Sequence, residues 1–259
     1  MNDRNPPQHD CFPETVVRGK EAVQGLYRQP SVVESYEKTR FRSGKGLLKH
    51  TLEMALLAEL LEPRSKLVLD LATGTGRITR ELLHLGAASV VAADSSLEML
   101  SACREGNSEE RNRLGLAQVD AFRLPFKDGC FDRVVSLRFL RHLEMPDRRK
   151  VYGEVLRVLA PGGLFVLDAC NRVEHLSQIA DRTVYDELYT EAGLCQELTQ
   201  AGFRVGEIRG YLYHSRRWMR LREFKVPEKL ALWLCRKLEK RKRGKLEEAY
   251  LWMVQCSKF

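Results

Sequence analysis

"KLVLDLATGTGRITRELLHLGA", residues 66–87, decides how the rest of the chain is read. Its first seven residues form a short run rich in leucine and valine, with the length and composition of a buried strand. The run stops at Thr73-Gly74-Thr75-Gly76, where two glycines open backbone conformations closed to other residues. From Arg77 the apolar residues return at helical spacing, and Gly86 closes the segment. Strand, glycine turn and helix in this order make the turn a candidate cofactor loop, because open α/β sheets bind ligands at the carboxyl ends of their strands. A dinucleotide fingerprint would need a third glycine where Thr79 stands, so that reading is disfavoured.

Outward from this stretch the alternation continues. Strands are expected at 89–94, 114–120, 131–137, 164–170, 204–213 and 249–258, and helices at 95–106, at 146–160 and in the stretch ending at 203. One or two more helices are expected over 31–63, stopping at Pro63. The expected fold is α/β and Rossmann-like, a mostly parallel seven-stranded sheet with helices on both faces. Residues 1–30 are polar and proline-containing and read as a flexible lead-in to one domain over 31–259. That domain carries a lid-like insertion at 171–201 and a basic amphipathic insertion at 212–248.

At 259 residues and 44% hydrophobic, the chain is long and apolar enough for a sizeable core. No apolar run approaches the ~20 residues of a membrane span, and the N-terminus lacks a secretory apolar segment, so cytoplasmic placement is expected. Seven cysteines are scattered without metal-ligand spacing, and no metal is expected. The net charge of +8 is matched by 212–248 alone, where thirteen lysines and arginines face five glutamates. Within it Leu230, Ala231, Trp233, Leu234 and Leu238 share one helical face. Three uses stay open: packing on the sheet with the charges solvated, peripheral contact of 214–245 with an anionic inner membrane surface, or docking of a nucleic acid.

Four motifs in order carry a family likeness. "VLDLATGTGR", "VVAADSSLEML", "QVDAFRLPFKDGCFDRVVS" and "EVLRVLAPGGLFVLD" together resemble the class I S-adenosylmethionine-dependent methyltransferases, nearest the small-molecule and quinone-biosynthesis type. "ELTQAGFRV" continues the likeness weakly. The resemblance implies S-adenosyl-L-methionine as cofactor. Gly74 and Gly76 would let the backbone approach it, with Ala72 and Thr73 in the same turn. Ala72 stands where the family usually has a glycine, which a Cβ tolerates only at negative φ. Asp70 is either a ligand contact or an organiser of the loop. Asp94, followed by Ser95, would accept both ribose hydroxyls. Asp120 and the Ala121 backbone would meet the adenine edge, Met99 and Leu137 its faces, and Tyr36 and Arg42 the methionine carboxylate.

The acceptor side is read from "LRFLRHL", 137–143. His142 is the candidate general base, or else packs on the next helix. Arg138 and Arg141, three apart, would share one helical face and bind carboxylate or phosphate, or else form a solvated helix start. Tyr185, four before Tyr189, is an acceptor platform or part of the core. The motifs with which amino-directed and cytosine-carbon DNA methyltransferases hold a flipped base are absent. The expected function is therefore methyl transfer to a small or lipid-linked anionic acceptor. An RNA methyltransferase docking through the basic segment, or a non-catalytic scaffold, are the rivals.

Overall fold

The computed structural model describes residues 44–175, 184–213 and 245–258, with Val17, Glu21, Gly25, Leu230, Trp233 and Lys237 as isolated positions besides. In chain order the elements are α1 (Gly44–Leu61), β1 (Leu67–Leu71), α2 (Arg77–His84), β2 (Ser89–Asp94), α3 (Leu97–Gly106), β3 (Leu114–Gln118), β4 (Phe131–Ser136), α4 (Met145–Val158) and β5 (Leu159–Asn171). There follow α5 (Arg172–His175), β6 (Leu188–Tyr189), α6 (Glu191–Gln200), β7 (Arg204–Tyr211) and β8 (Leu251–Ser257). The main sheet runs β3-β2-β1-β4-β5-β8-β7, with the two-residue β6 beside the end of β5. Pairing is parallel except at β8, which is antiparallel to both neighbours. The seven strands expected from the alternation are all present in a mostly parallel sheet, to which the unexpected β6 adds an eighth.

The ends of the elements follow local chemistry. Helix α1 stops at Leu61, with Glu62 left-handed (φ 49°) ahead of Pro63, which cannot extend a helix. Gly86 (φ 88°) ends α2 while the Ala87 and Gly86 N–H groups donate back to Leu82 and Leu83. Ser96 caps α3 by accepting the Met99 N–H at 3.1 Å. Strand β3 ends at Gln118, short of the expected residue 120, because Asp120 turns the chain: its Oδ1 accepts Phe122 N–H and its carbonyl accepts Arg123 N–H. Among the described residues of the lead-in, Val17 bridges Val184 and its carbonyl accepts Tyr185 N–H at 3.0 Å.

Alternate residues of each strand feed two cores. Val68, Val90, Val135 and Met253 pack with Leu57, Leu61 and Leu82 of α1 and α2 on one face. Leu69, Val134, Phe165 and Trp252 pack with Val151, Val155 and Leu198 of α4 and α6 on the other. The second core encloses a charge. Arg148 of α4 is 1% exposed and forks onto both carboxylate oxygens of Glu197 on α6, at 2.8 Å each, while reaching Glu187 at 2.9 Å. Tyr152 also donates to Glu197 at 2.9 Å, and the guanidinium lies over the Tyr189 ring. Arg148→Ala strands Glu197 without its counter-charge, and such a loss costs about 3–5 kcal/mol. Urea unfolding should show the midpoint falling by that equivalent, whereas the double replacement Arg148→Met with Glu197→Leu should recover most of it.

Candidate active site

At the carboxyl end of β1 the chain enters a turn in which every second residue is left-handed: Ala72 (φ 60°), Gly74 (φ 58°) and Gly76 (φ 78°). Two carboxylates fix this turn. Asp70 Oδ2 accepts the hydroxyls of Thr73 (2.8 Å) and Thr79 (2.7 Å), joining the strand to the turn and to α2. Asp94, at the end of the neighbouring strand, accepts Gly74 N–H at 2.9 Å and Ser96 N–H at 3.0 Å. Thr73 N–H reaches the Ala93 carbonyl at 3.0 Å. Asp70 is thus a loop organiser that also lines the cavity beside it. Ala72 overturns the expectation of negative φ: the Cβ is accepted in the left-handed region, at a cost of roughly 1–2 kcal/mol.

One cavity joins this turn to the ends of β2 and β4. It brings together Asp70, Ala72, Thr73, Gly74, Asp94, Ser95, Met99, Ala121, Leu137, Arg138 and His142 from the expected set. Four expected residues lie elsewhere. Gly76 faces α3, where a Cβ would collide with Cys103 and Asn107, so its glycine serves helix packing. Asp120 is exposed and engaged with its own turn. Tyr185 is buried outside the cavity, its hydroxyl donating to Glu187 at 2.7 Å, and it shares no helix with Tyr189, which belongs to β6. Arg141 is the fourth. Tyr36 and Arg42 lie outside the described residues.

The segment after β4 is not a helix with two arginines on one side. Arg138 turns left-handed (φ 62°), its N–H donating to Asp168 Oδ1 at 2.6 Å, and Leu140–His142 make one short 3₁₀ turn. The Arg138 head pairs with Glu53 of α1, and the Arg141 head with Asp168 (3.1 Å) and Asp186 (3.0 Å). Both arginines are therefore committed to internal carboxylates, which removes them as a ready-made pair of anion anchors. Sequence reading missed those carboxylates and also Arg77, which lines the cavity and reaches Glu53 at 3.2 Å. Glu53 is fully buried and also accepts the Tyr211 hydroxyl at 3.2 Å. Burial opposes its charge, but Arg138, Lys49 and Arg77 together hold its carboxyl far below the usual range. Lys49 is pushed down to about 7 by burial and by Arg138, against the pull of Glu53. A glutamate inside the apolar run of α1 and an aspartate inside that of β5 were the only local signals.

His142 is nearly buried and donates from Nδ1 to the Tyr185 carbonyl at 2.7 Å, with Asp186 Oδ1 at 3.1 Å from the same nitrogen. A carbonyl only accepts, so Nδ1 carries the proton and the neutral ring has its lone pair on Nε2.

Sequence comparison with known proteins points to methyl transfer. Residues 68–163 match the family model described as a methyltransferase domain. A ubiquinone/menaquinone biosynthesis C-methyltransferase of Acidiphilium cryptum is 35% identical over 191 residues, covering 72% of this chain and 74% of that protein. The chain is a class I S-adenosylmethionine-dependent methyltransferase. A malonyl-[acyl-carrier protein] O-methyltransferase of Geobacter sulfurreducens is 36% identical over 166 residues, 59% of this chain and 60% of that one. The fold matches the magnesium protoporphyrin IX methyltransferase of Synechocystis with bound S-adenosylhomocysteine at a TM-score of 0.65 and 14% identity, over 93% and 100% of the two chains.

The cavity of this methyltransferase suits its cofactor. Gly74 faces open space where a Cβ would stand, two carboxylates flank the turn, and Ala93, Met99, Val119 and Leu137 offer an apolar wall to a purine. Burial pushes the Asp70 carboxyl up to about 6, against the two threonine hydroxyls that favour its ionised form. A cationic ligand beside it favours the ionised form, so S-adenosylmethionine affinity should climb as the pH rises through about 6 and then level off. Calorimetric titration from pH 5 to 7.5 should show this slope for the native chain and none for Asp70→Asn. Ala72→Gly should remove the left-handed strain but add unfolded-chain entropy, for a net gain of about 0.5–1 kcal/mol readable as a higher melting temperature.

Proposed function

We propose that this methyltransferase alkylates an acidic O–H or C–H position of a small or lipid-linked acceptor, with His142 as the general base. The observation that carries this reading is the fixed Nδ1–H of His142, held by the Tyr185 carbonyl with the Asp186 carboxylate 3.1 Å away, on a ring that lines the same cavity as the glycine turn. The names of the two relatives, a quinone-pathway C-methyltransferase and a malonyl-thioester O-methyltransferase, support it. A hydroxylated quinone ring becomes a good nucleophile on losing a proton, whereas a malonyl carboxylate is already ionised near neutral pH and would need only positioning.

When bound, S-adenosylmethionine supplies an electrophilic methyl carbon whose departure leaves a neutral thioether. Asp94 and Ser95 would hold its ribose edge, the apolar wall of Met99 and Leu137 its purine, and Ala72, Thr73 and Gly74 its methionine end, all of them residues that line the cavity. His142 takes the acceptor's proton at Nε2, and Asp186 stabilises the imidazolium from the other side of the ring. Glu53 faces Arg77 and Arg138, which both line the cavity, and Lys49, whose charge burial weakens. Their field favours an acceptor that becomes anionic as His142 removes its proton, and methyl transfer then consumes that charge.

His142→Asn keeps an amide N–H close to Nδ1 and deletes the base. With a reduced, hydroxylated quinone bearing a short isoprenoid tail and labelled cofactor, its kcat should drop about 10²–10⁴-fold, the usual range for a general base. Cofactor affinity should stay unchanged. A variant that keeps full kcat on every acceptor the native chain methylates would remove His142 from the chemistry.

A further inference from the structure

His142 lies on a short 3₁₀ turn, Leu140–His142, that two hydrogen bonds fasten to the segment before β6. Its Nδ1 donates to the Tyr185 carbonyl at 2.7 Å, and the Arg141 carbonyl accepts Glu187 N–H at 2.6 Å. Between these bonds the Arg141 and Asp186 side chains meet, Nε to Oδ1, at 3.0 Å. The same oxygen is 3.1 Å from His142 Nδ1. A second nitrogen of the guanidinium donates to Asp168 Oδ2 at 3.1 Å, and Asp168 Oδ1 takes the Arg138 N–H. Arg141 and Asp186 are each 8% exposed, and Arg141 does not line the cavity. It therefore reaches the reacting atoms only through a neighbour.

Surroundings of this kind decide whether an imidazole serves as a base. A buried ring beside a lone carboxylate keeps its proton to higher pH, since an opposite charge within about 4–6 Å favours the charged form by about 1–3 units. An imidazolium has no lone pair to take a proton. Arg141 opposes this, because its guanidinium stays ionised at any working pH and lies against the very oxygen that faces the ring. The other charged groups nearby differ in sign. Arg138 lines the cavity with the ring and pairs with Glu53 of α1, Asp168 of β5 pairs with the Arg141 head, and Glu187 pairs with Arg148 of α4. The Tyr185 phenol is held neutral by burial and by the charge of Glu187.

We propose that Arg141 is a positioning residue for the transfer: by sharing the Asp186 carboxylate with His142, it keeps the ring neutral until the acceptor arrives. The proposal rests on the reading of His142 as the base. When the acceptor's O–H or C–H bond breaks, the proton goes to His142 Nε2. The electron pair left behind forms the bond to the methyl carbon as the sulfonium sulfur regains its own pair. Without Arg141 the ring is protonated before the acceptor arrives, and without Asp186 it holds a proton less well than it does in the native chain. The two substitutions thus move the ring in opposite directions, which a loss of structure would not do.

Full-length protein carrying isotope-labelled histidine is titrated by NMR, the His142 signal being identified by its absence in His142→Asn. Arg141→Met should raise the His142 midpoint by about one unit or more, and Asp186→Asn should lower it. Arg141→Lys, which keeps the charge, should stay within about half a unit of the native midpoint. The acid limb of kcat/KM should follow these midpoints, so Arg141→Met should lose about tenfold at pH ~6 and recover by pH ~9. If Arg141→Met fails to fold around the two carboxylates it deserts, Arg141→Met with Asp168→Asn takes its place, since the amide oxygen still accepts the Arg138 N–H. A midpoint unmoved or lowered in the Arg141→Met protein, or a loss of turnover equal at every pH, would overturn the proposal. Turnover retained in His142→Asn removes the base, whereas the midpoints, read without any acceptor, decide the effect of Arg141 on the ring, so the two readings fail separately.

Discussion

Asp70 and Asp94 stand at the ends of adjacent parallel strands and hold one turn between them. Asp70 ties it from below through two threonine hydroxyls, and Asp94 from the side through a backbone N–H. Only with both ties does a turn with three left-handed residues persist where Ala72 would otherwise relax. Helix α2 starts from this turn, α3 starts from Asp94 and Ser96, and the cavity is the space the two starts leave open. Parallel pairing of β1 with β2 is what brings the two acids together, since each lies at the carboxyl end of its strand.

Beneath the acceptor side lies a second set of buried charges, Glu53, Asp168 and Asp186 against Lys49, Arg77, Arg138 and Arg141. Charges removed from water are costly unless paired, so these groups hold α1, β4, β5 and the segment before β6 in one arrangement. Left-handed Arg138 belongs to this set: Asp168 takes its N–H and Glu53 its head, and the chain turns sharply away from β4 as a result. His142 inherits its position from that turn.

The fold was legible wherever pattern is local. Apolar runs of strand length separated by helical periods gave seven strands, and β2 at 89–94 is where the run ends in Asp94. The lining of the cavity at the glycine turn was legible because its residues cluster at the ends of those runs. The buried charges beside Arg138 were not. Glu53 and Arg138 are 85 residues apart, and Asp168 and Arg141 are 27 apart, so nothing in the spacing near Arg138 announces that its charge is already taken. Gly76 shows a related limit: a glycine required by a neighbouring helix looks the same in sequence as one required by a ligand.

The inverted last strand has one more consequence. Tyr211 and Leu251 are direct partners across the β7–β8 ladder, so whatever lies between them starts and finishes at a single point. A connection closed in this way can double in length for about 0.6 kcal/mol of closure entropy, without shifting a strand. The length of this connection is thus uncoupled from the register of the sheet, while its described ends stay tied by Leu212, Leu246 and Ala249 and the cofactor turn on the far strands keeps its shape.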